Sequence, residues 1–380
     1  MSAGLLERVE RALSDYRAPI ASELERIVGN GKQSSPHDEI LYGPIREHAL
    51  RPGKGLRPAV CIATCRALGG ALEAALPTAA VLELYHNAFL IHDDVEDGSQ
   101  LRRDAPAMHT LYGVASAINA GDAMLALALK PLLDNTRVVG LGKALRILDE
   151  IATMARETAE GQAVELDWIR RGVTAPSEEE YIALVERKTA SYSFIAPTVI
   201  GAIIGTATDE CVVQLRRFSR AIGVAFQIRD DVLNLDPLSP RWGKDTLDDL
   251  WEGKRTLILS HALLCARPEE RARAMQILLR PRPTVLVSRL GATITRLQAS
   301  GDLSEVGRAC LENELSVRSR ADVEYLFELV QRYDSLLYAS GVATRFAKTA
   351  EEALHATDIG PSAHRDFLFD LIAYVKNRDY

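Results

Sequence analysis

Three things are scarce in this 380-residue chain: aromatic side chains at 6%, cysteines at 5, and any surplus of positive charge. Each shortage excludes something. The net charge is −7 and basic residues are interspersed with acidic ones, so no nucleic-acid surface is expected. Cys61, Cys65, Cys211, Cys265 and Cys310 are odd in number and form no CxxC pair. Cys61 and Cys65 are spaced as neighbours on one helix face, where cysteine serves as a small buried side chain. Neither a disulfide framework nor a zinc site fits these spacings, and a reducing, cytoplasmic setting is expected.

Long apolar runs are missing as well. The most apolar later stretch, Phe194 to Ala207, is short and interrupted by Pro197, Gly201 and Gly205. It reads as a buried core helix, since it is too short to span a bilayer unaided. The N-terminal string MSAGLLERVERALSDYRAPIASELERIV has an amphipathic helix pattern with acidic residues throughout. It has neither the basic start nor the apolar run of a signal peptide.

Alternating strand patterns are scarce too, and helical periodicity fills the space they leave. Apolar residues make up 47% of the chain, enough for a large core. Breakers fall at Arg51-Pro52-Gly53, Gly69-Gly70, Gly172 to Pro176, Asp236 to Gly243, Arg280 to Pro283 and Gly360-Pro361. The expected fold class is all-α, a large helical bundle with one extended core.

Two of the expected helices stand apart. Residues 78–97, TAAVLELYHNAFLIHDDVED, are apolar around most of the circumference and then turn acidic, and residues 211–236 do much the same. A helix apolar on nearly all sides belongs in the interior. The strings Phe89-Leu-Ile-His-Asp-Asp-Val95 and Phe226-Gln-Ile-Arg-Asp-Asp-Val232 echo each other, which predicts two similar halves facing one site. Asp93 and Asp97 share a helix face with Asp94 between them, and His86 lies on the same stripe. Clustered carboxylates of this kind suit Mg²⁺, which keeps several waters and shares phosphate oxygens. A lone DDxxD is more often a solvated helix end. The second pair, Asp230-Asp231, tips the balance toward a metal site.

Cations complete the pattern. Lys54 and Arg57 lie three residues apart in the glycine-flanked Gly53-Lys-Gly-Leu-Arg-Pro58, at a helix start that favours anions. Arg102-Arg103 follow the first acidic motif, and Lys188-Thr189, Lys244 and Lys254 flank or follow the second. Two acidic clusters among several cations are what two diphosphate groups would require.

Taken in order, GKGLRP, HNAFLIHDDVEDGSQLRR, FQIRDDVLNL, the GKD of Gly243-Lys244-Asp245, and DLWEGKRTL resemble the signature of the trans-prenyl diphosphate synthases, which include the farnesyl and geranylgeranyl diphosphate synthases. The similarity runs from about residue 40 to 265; the tail HRDFLFDLIAYVKNRD is also similar, and residues 267–360 add little. The resemblance implies one isoprenoid synthase domain over residues 1–380, with C-terminal helices over 266–380, around a deep central pocket. It also implies a homodimer and Mg²⁺, three ions with substrate bound.

By motif matching, Asp93, Asp94, Asp97, Asp230 and Asp231 would hold metal, with Lys188 and Lys244 joining them in catalysis. Lys54, Arg57, His86 and Arg103 match the isopentenyl diphosphate site. Arg102, Lys188, Thr189, Gln227, Lys244 and Lys254 match groups around the allylic diphosphate. The second motif departs from DDxxD, because Asn234 replaces its last aspartate; this weakens Asn234 as a ligand.

The implied reaction joins isopentenyl diphosphate to dimethylallyl, geranyl or farnesyl diphosphate, head to tail. Tyr85, Ala88 and Phe89 would form the chain-length pocket, since bulky residues before the first acidic motif help to stop elongation in this family. Small Ala88 beside large Phe89 leaves part of the pocket open and favours a C20 product. A class I terpene cyclase would not need the second diphosphate set of Lys54, Arg57, His86 and Arg103. A non-catalytic partner subunit could lose an aspartate pair, and a plain helical scaffold would leave the ordered motifs unexplained.

Overall fold

The computed structural model describes residues 3–29, 36–236, 247–282, 290, 293–294, 296–307, 311 and 317–377. Lys244, with the Gly243-Lys244-Asp245 string, and Cys310 lie outside the described residues. The fold is all-α. In chain order the helices are α1 (Ala3–Val28), α2 (Gly43–Ala49), α3 (Leu56–Ala67) and α4 (Leu72–Asp97). After a small hairpin come α5 (Met108–Tyr112), α6 (Val114–Leu127), α7 (Leu129–Val138), α8 (Leu141–Arg171) and α9 (Glu178–Val185). A π-helical stretch, Glu186–Ile195, leads into α10 (Ala196–Ile204) and α11 (Asp209–Asn234). The described remainder holds α12 (Asp248–Glu252), α13 (Leu257–Cys265), α14 (Pro268–Leu278), α15 (Arg320–Arg332), α16 (Ser335–His355) and α17 (Ala363–Asn377).

The two unusual helices are slightly displaced from the sequence reading: α4 begins earlier, at Leu72, and runs through Pro77, while α11 spans 209–234. By length and composition α4 could cross a membrane, yet 72% of its apolar window is buried inside the protein. It is a core helix, with Ala79 through Ala88 all buried. The α11 start is capped by Thr208, whose hydroxyl accepts from the Cys211 N–H, and α9 opens with a Ser177–Glu180 capping box.

One feature of the fold departs from the helical expectation. Leu101–Arg102 and Ala105–Pro106 pair antiparallel, joined by a two-residue turn at Arg103 and Asp104 with φ of 54° and 59°. Both turn residues are left-handed, as a tight hairpin of this kind demands, at a cost of about 1–2 kcal/mol for each non-glycine residue. The strands are too short to show as alternation in sequence.

Three buried clusters share the load: one around α3, α4, α6 and α10, one joining α1, α11, α16 and α17, and one around α9, α11, α13 and α15. The π-helical stretch is gripped between α8 and α11, and two glycines allow it. A Cβ on Gly161 would sit 2.4 Å from the Lys188 backbone nitrogen, and one on Gly223 would sit 2.5 Å from the Ala190 Cβ. Any larger residue at either place would push Lys188 and Thr189 away from the bundle axis.

Candidate active site

A cavity of about 750 Å³ opens between the acidic ends of α4 and α11. Asp93, Asp230, Asp231 and Asn234 are on its wall, with Lys54, Arg102, Lys188, Thr189, Gln227 and Lys254. The internal echo in the sequence thus corresponds to two helix ends that face one space. Asp94 and Asp97 stand behind that wall. Asp94 is 1% exposed and accepts from Arg102 Nε at 2.8 Å, while Asp97 Oδ2 lies 2.7 Å from Lys254 Nζ.

The hairpin explains how Arg102 reaches Asp94. Left-handed Gly98 ends α4 and turns the chain back, so that the first hairpin strand, Leu101–Arg102, lays Arg102 over the acidic helix end before the turn at Arg103-Asp104. Arg102 also lies 3.6 Å from Asp93. Lys188 bonds Glu165 of α8 and sits 3.6 Å from Asp93, and Lys254 pairs with Glu252 at 2.8 Å as well as with Asp97. Burial opposes the charge on Lys188 and Lys254, but the facing carboxylates outweigh it and hold both pKa values above the ordinary lysine range. Asp231 accepts from Tyr181 Oη at 2.6 Å and from Gln227 at 2.7 Å. Burial nevertheless raises the carboxyl pKa of Asp231, and likewise that of Asp97, where Asp93 and Glu252 add repulsion.

A second group of cations is held differently. Lys54 Nζ donates to Tyr374 Oη at 2.9 Å, and Arg57 Nη2 donates to Ser193 Oγ at 2.8 Å with its guanidinium 4.5 Å from the Tyr192 ring. Arg103 donates to the Arg51 carbonyl at 3.2 Å and to Asn87 Oδ1 at 3.5 Å, with Glu83 at 3.8 Å. Gly53 lets the loop lie flat on Arg103, since a Cβ there would come within 3.0 Å of the guanidinium. His86 is buried, stacks on Tyr192 with centroids 5.8 Å apart, and is held neutral by burial and by Arg57 and Arg103. Of this group only Lys54 is on the main cavity wall; Arg57, His86 and Arg103 lie behind it.

The apolar end of the cavity is lined by Tyr85, Phe89, Leu125, Ala155, Ala159 and Tyr192. Phe89 meets Tyr85 edge-on at 5.9 Å and Tyr192 at 5.5 Å. Ala88 is a correction to the sequence reading. It is fully buried in the core cluster of α4 and is absent from the wall, because one residue of helix turns its side chain about 100° away from Phe89. Asn234 accepts from the Asp249 N–H at 3.2 Å, so its side chain fastens the start of α12.

Sequence reasoning overlooked Glu165, Tyr181, Tyr192, Ser193 and Glu252. Tyr192-Ser193 follow Lys188-Thr189 within one helical turn, and Glu165 lies one turn after Gly161 on α8. A glycine inside a long helix was the available signal for a close approach.

The donor set for a metal is all oxygen. Among the described residues no three acidic, histidine or cysteine side chains gather closely enough to hold an ion alone. Carboxylates from two helices with burial-raised pKa values fit a divalent cation that completes its shell with water and phosphate oxygens.

Comparison with known proteins agrees with this geometry. Residues 38–287 match the polyprenyl synthetase family. A geranylgeranyl diphosphate synthase of Methanosarcina mazei is 40% identical over 227 residues, covering 59% of this chain and 68% of the relative. The crystal structure of geranylgeranyl pyrophosphate synthetase from Pyrococcus horikoshii superposes with a TM-score of 0.79 at 28% identity, covering 98% of this chain and 99% of that one. A polyprenyl synthase from Caulobacter crescentus, complexed with calcium and isoprenyl diphosphate, gives 0.77 at 26% identity, covering 98% of each.

Proposed function

The chain is a prenyltransferase of the polyprenyl synthetase family, and from that premise we propose that it condenses isopentenyl diphosphate with an allylic prenyl diphosphate head to tail, giving C20 geranylgeranyl diphosphate. One observation carries the reading. Two sets of cations gather at one cavity: Arg102, Lys188 and Lys254 on its wall, paired with carboxylates of α4, α8 and α12, and Lys54 on the wall with Arg57 and Arg103 behind it, held mainly by neutral groups. The first set suits a diphosphate that arrives with Mg²⁺, and the second suits a diphosphate bound by cations alone.

Divalent-metal use goes with the family; three Mg²⁺ ions, held by Asp93, Asp94, Asp97, Asp230 and Asp231, are the proposal here. The ions supply charge neutralisation on the departing diphosphate oxygens. Arg102, Lys188 and Lys254, with Lys244 expected from its motif, add donors as the allylic C–O bond breaks and diphosphate leaves with the electron pair. Thr189 and Gln227 orient the same group. Tyr85, Phe89, Leu125 and Tyr192 keep water from the allylic cation. Lys54, Arg57, His86 and Arg103 hold isopentenyl diphosphate so that its double bond forms the new C–C bond. The proton lost in the last step passes to the released diphosphate.

Residues 1–380 are taken as one domain, because α17 returns to Lys54 near the N-terminal end of the site. A homodimer is supported by apolar side chains left exposed at helical spacing: Val114 and Ile118 on α6, Leu129 and Leu133 on α7, Leu141 and Leu145 on α8. Free Cys61, Cys65, Cys211 and Cys265 support a cytoplasmic setting. The test is incubation with isopentenyl diphosphate and each allylic starter, with mass analysis of the products. A C20 product is expected, and absence of any coupled product overturns the reading.

A further inference from the structure

The cavity lysines differ in what holds them. Lys188 faces Glu165 and Asp93, and Lys254 faces Asp97 and Glu252. Lys54 has no carboxylate within ion-pair range among the described residues. Its Nζ donates to Tyr374 Oη at 2.9 Å and lies 5.6 Å from the centre of the same ring. A neutral phenol fixes an ammonium group without cancelling its charge, whereas a carboxylate would do both.

Lys54 needs fixing. It sits in the irregular segment between α2 and α3, followed by left-handed Gly55, so no helix orients its side chain. A free lysine carries large rotamer entropy, which would have to be surrendered when an anion binds. Tyr374 is itself rigid. It is 5% exposed on α17, within the core cluster that includes Phe367, Leu371 and Val375.

We propose that Tyr374 is a positioning residue for the isopentenyl diphosphate subsite: its hydroxyl and ring hold Lys54 Nζ, charged and uncompensated, at the cavity wall. The C-terminal helix thereby becomes part of the substrate site, although no acidic or basic motif lies on its inner face at this point. The inference rests on the reading of Lys54 as a contact to isopentenyl diphosphate.

Tyr374→Phe keeps the ring and its packing and removes only the hydroxyl. KM for isopentenyl diphosphate should rise about tenfold, equivalent to about 1.4 kcal/mol, with KM for the allylic substrate unchanged and kcat within about twofold. Tyr374→Leu, which removes the ring as well, should raise it further. Lys54→Ala should raise the same KM, and adding Tyr374→Phe to it should change nothing more. If Lys54→Ala leaves KM for isopentenyl diphosphate unaltered, the reading of Lys54 fails. If Lys54→Ala raises it but Tyr374→Phe does not, or the two effects add in full, Tyr374 is a packing residue and the inference fails.

Discussion

Phe89 offers the sharpest test of how the cavity meters its product. The residue lies one helical turn from Asp93, about 6 Å along the α4 axis, and Tyr85 lies one turn further, about 12 Å from Asp93. Both rings are on the wall and touch edge-on. A chain growing away from the metal-binding end meets Phe89 first. Phe89→Ala deletes six ring carbons, about the bulk of one five-carbon isoprene unit, so the main product should lengthen by one unit. Tyr85→Ala should extend the passage past the next turn, and the double variant should go beyond either single change.

Stability sets a limit on the experiment. Burying a phenyl ring is worth about 2–3 kcal/mol, and Phe→Ala in a closed core costs about 3–5 kcal/mol. Phe89 is only partly buried and already borders a cavity, so the loss should lie near the lower end, about 3 kcal/mol. Folding is checked by circular dichroism and thermal melting, and product length by mass analysis after removal of the diphosphate. Wild-type product lengths from folded, active Phe89→Ala and Tyr85→Ala enzymes would refute the reasoning and place the floor of the passage elsewhere.

Three further outcomes are expected. Chelation should abolish turnover and added Mg²⁺ restore it; full activity in a metal-stripped sample would overturn the mechanism. Arg57→Ala or His86→Ala should chiefly raise KM for isopentenyl diphosphate, whereas Asp230→Ala should lower kcat for every allylic starter, and steady-state kinetics with each substrate varied would expose equal effects if the two sites were one. His48 is 1% exposed, with its pKa lowered to about 3 by burial and by Arg51, Arg103 and Arg102. Its folded pKa is below the unfolded value of about 6.5, so the unfolded state binds more protons between those limits. The His48 contribution to stability should therefore fall by about 1.4 kcal/mol per pH unit as pH drops below about 6, opposed by Asp97 and Asp231, whose raised pKa values favour proton uptake by the folded state. Urea melts at pH 7.5, 6.5 and 5.5 should show His48→Gln losing less stability than wild type on acidification.

What could be read from sequence was local. The helical period, the all-round apolarity of α4 and α11, and the carboxylates at their ends are properties of consecutive residues. They were enough for the fold class, for the two acidic motifs, and for the resemblance carried by the ordered strings. Glycine at 53 and 55 likewise marked an irregular approach to α3.

What tertiary structure decided was which of those residues face one another. Asp93 and Asp94 are adjacent in sequence, yet one is on the cavity wall and the other is buried against Arg102, because a helix turns about 100° per residue. The same rotation takes Ala88 off the wall and leaves Phe89 on it. The pairing of Lys188 with Glu165 depends on Gly161, which lets α8 approach the π-helical stretch. The contact from Lys54 to Tyr374 joins positions more than three hundred residues apart. Neither residue carries a local sign of the other, because a hydrogen bond between distant segments exists only once the packing of α1, α3 and α17 has brought them within 2.9 Å.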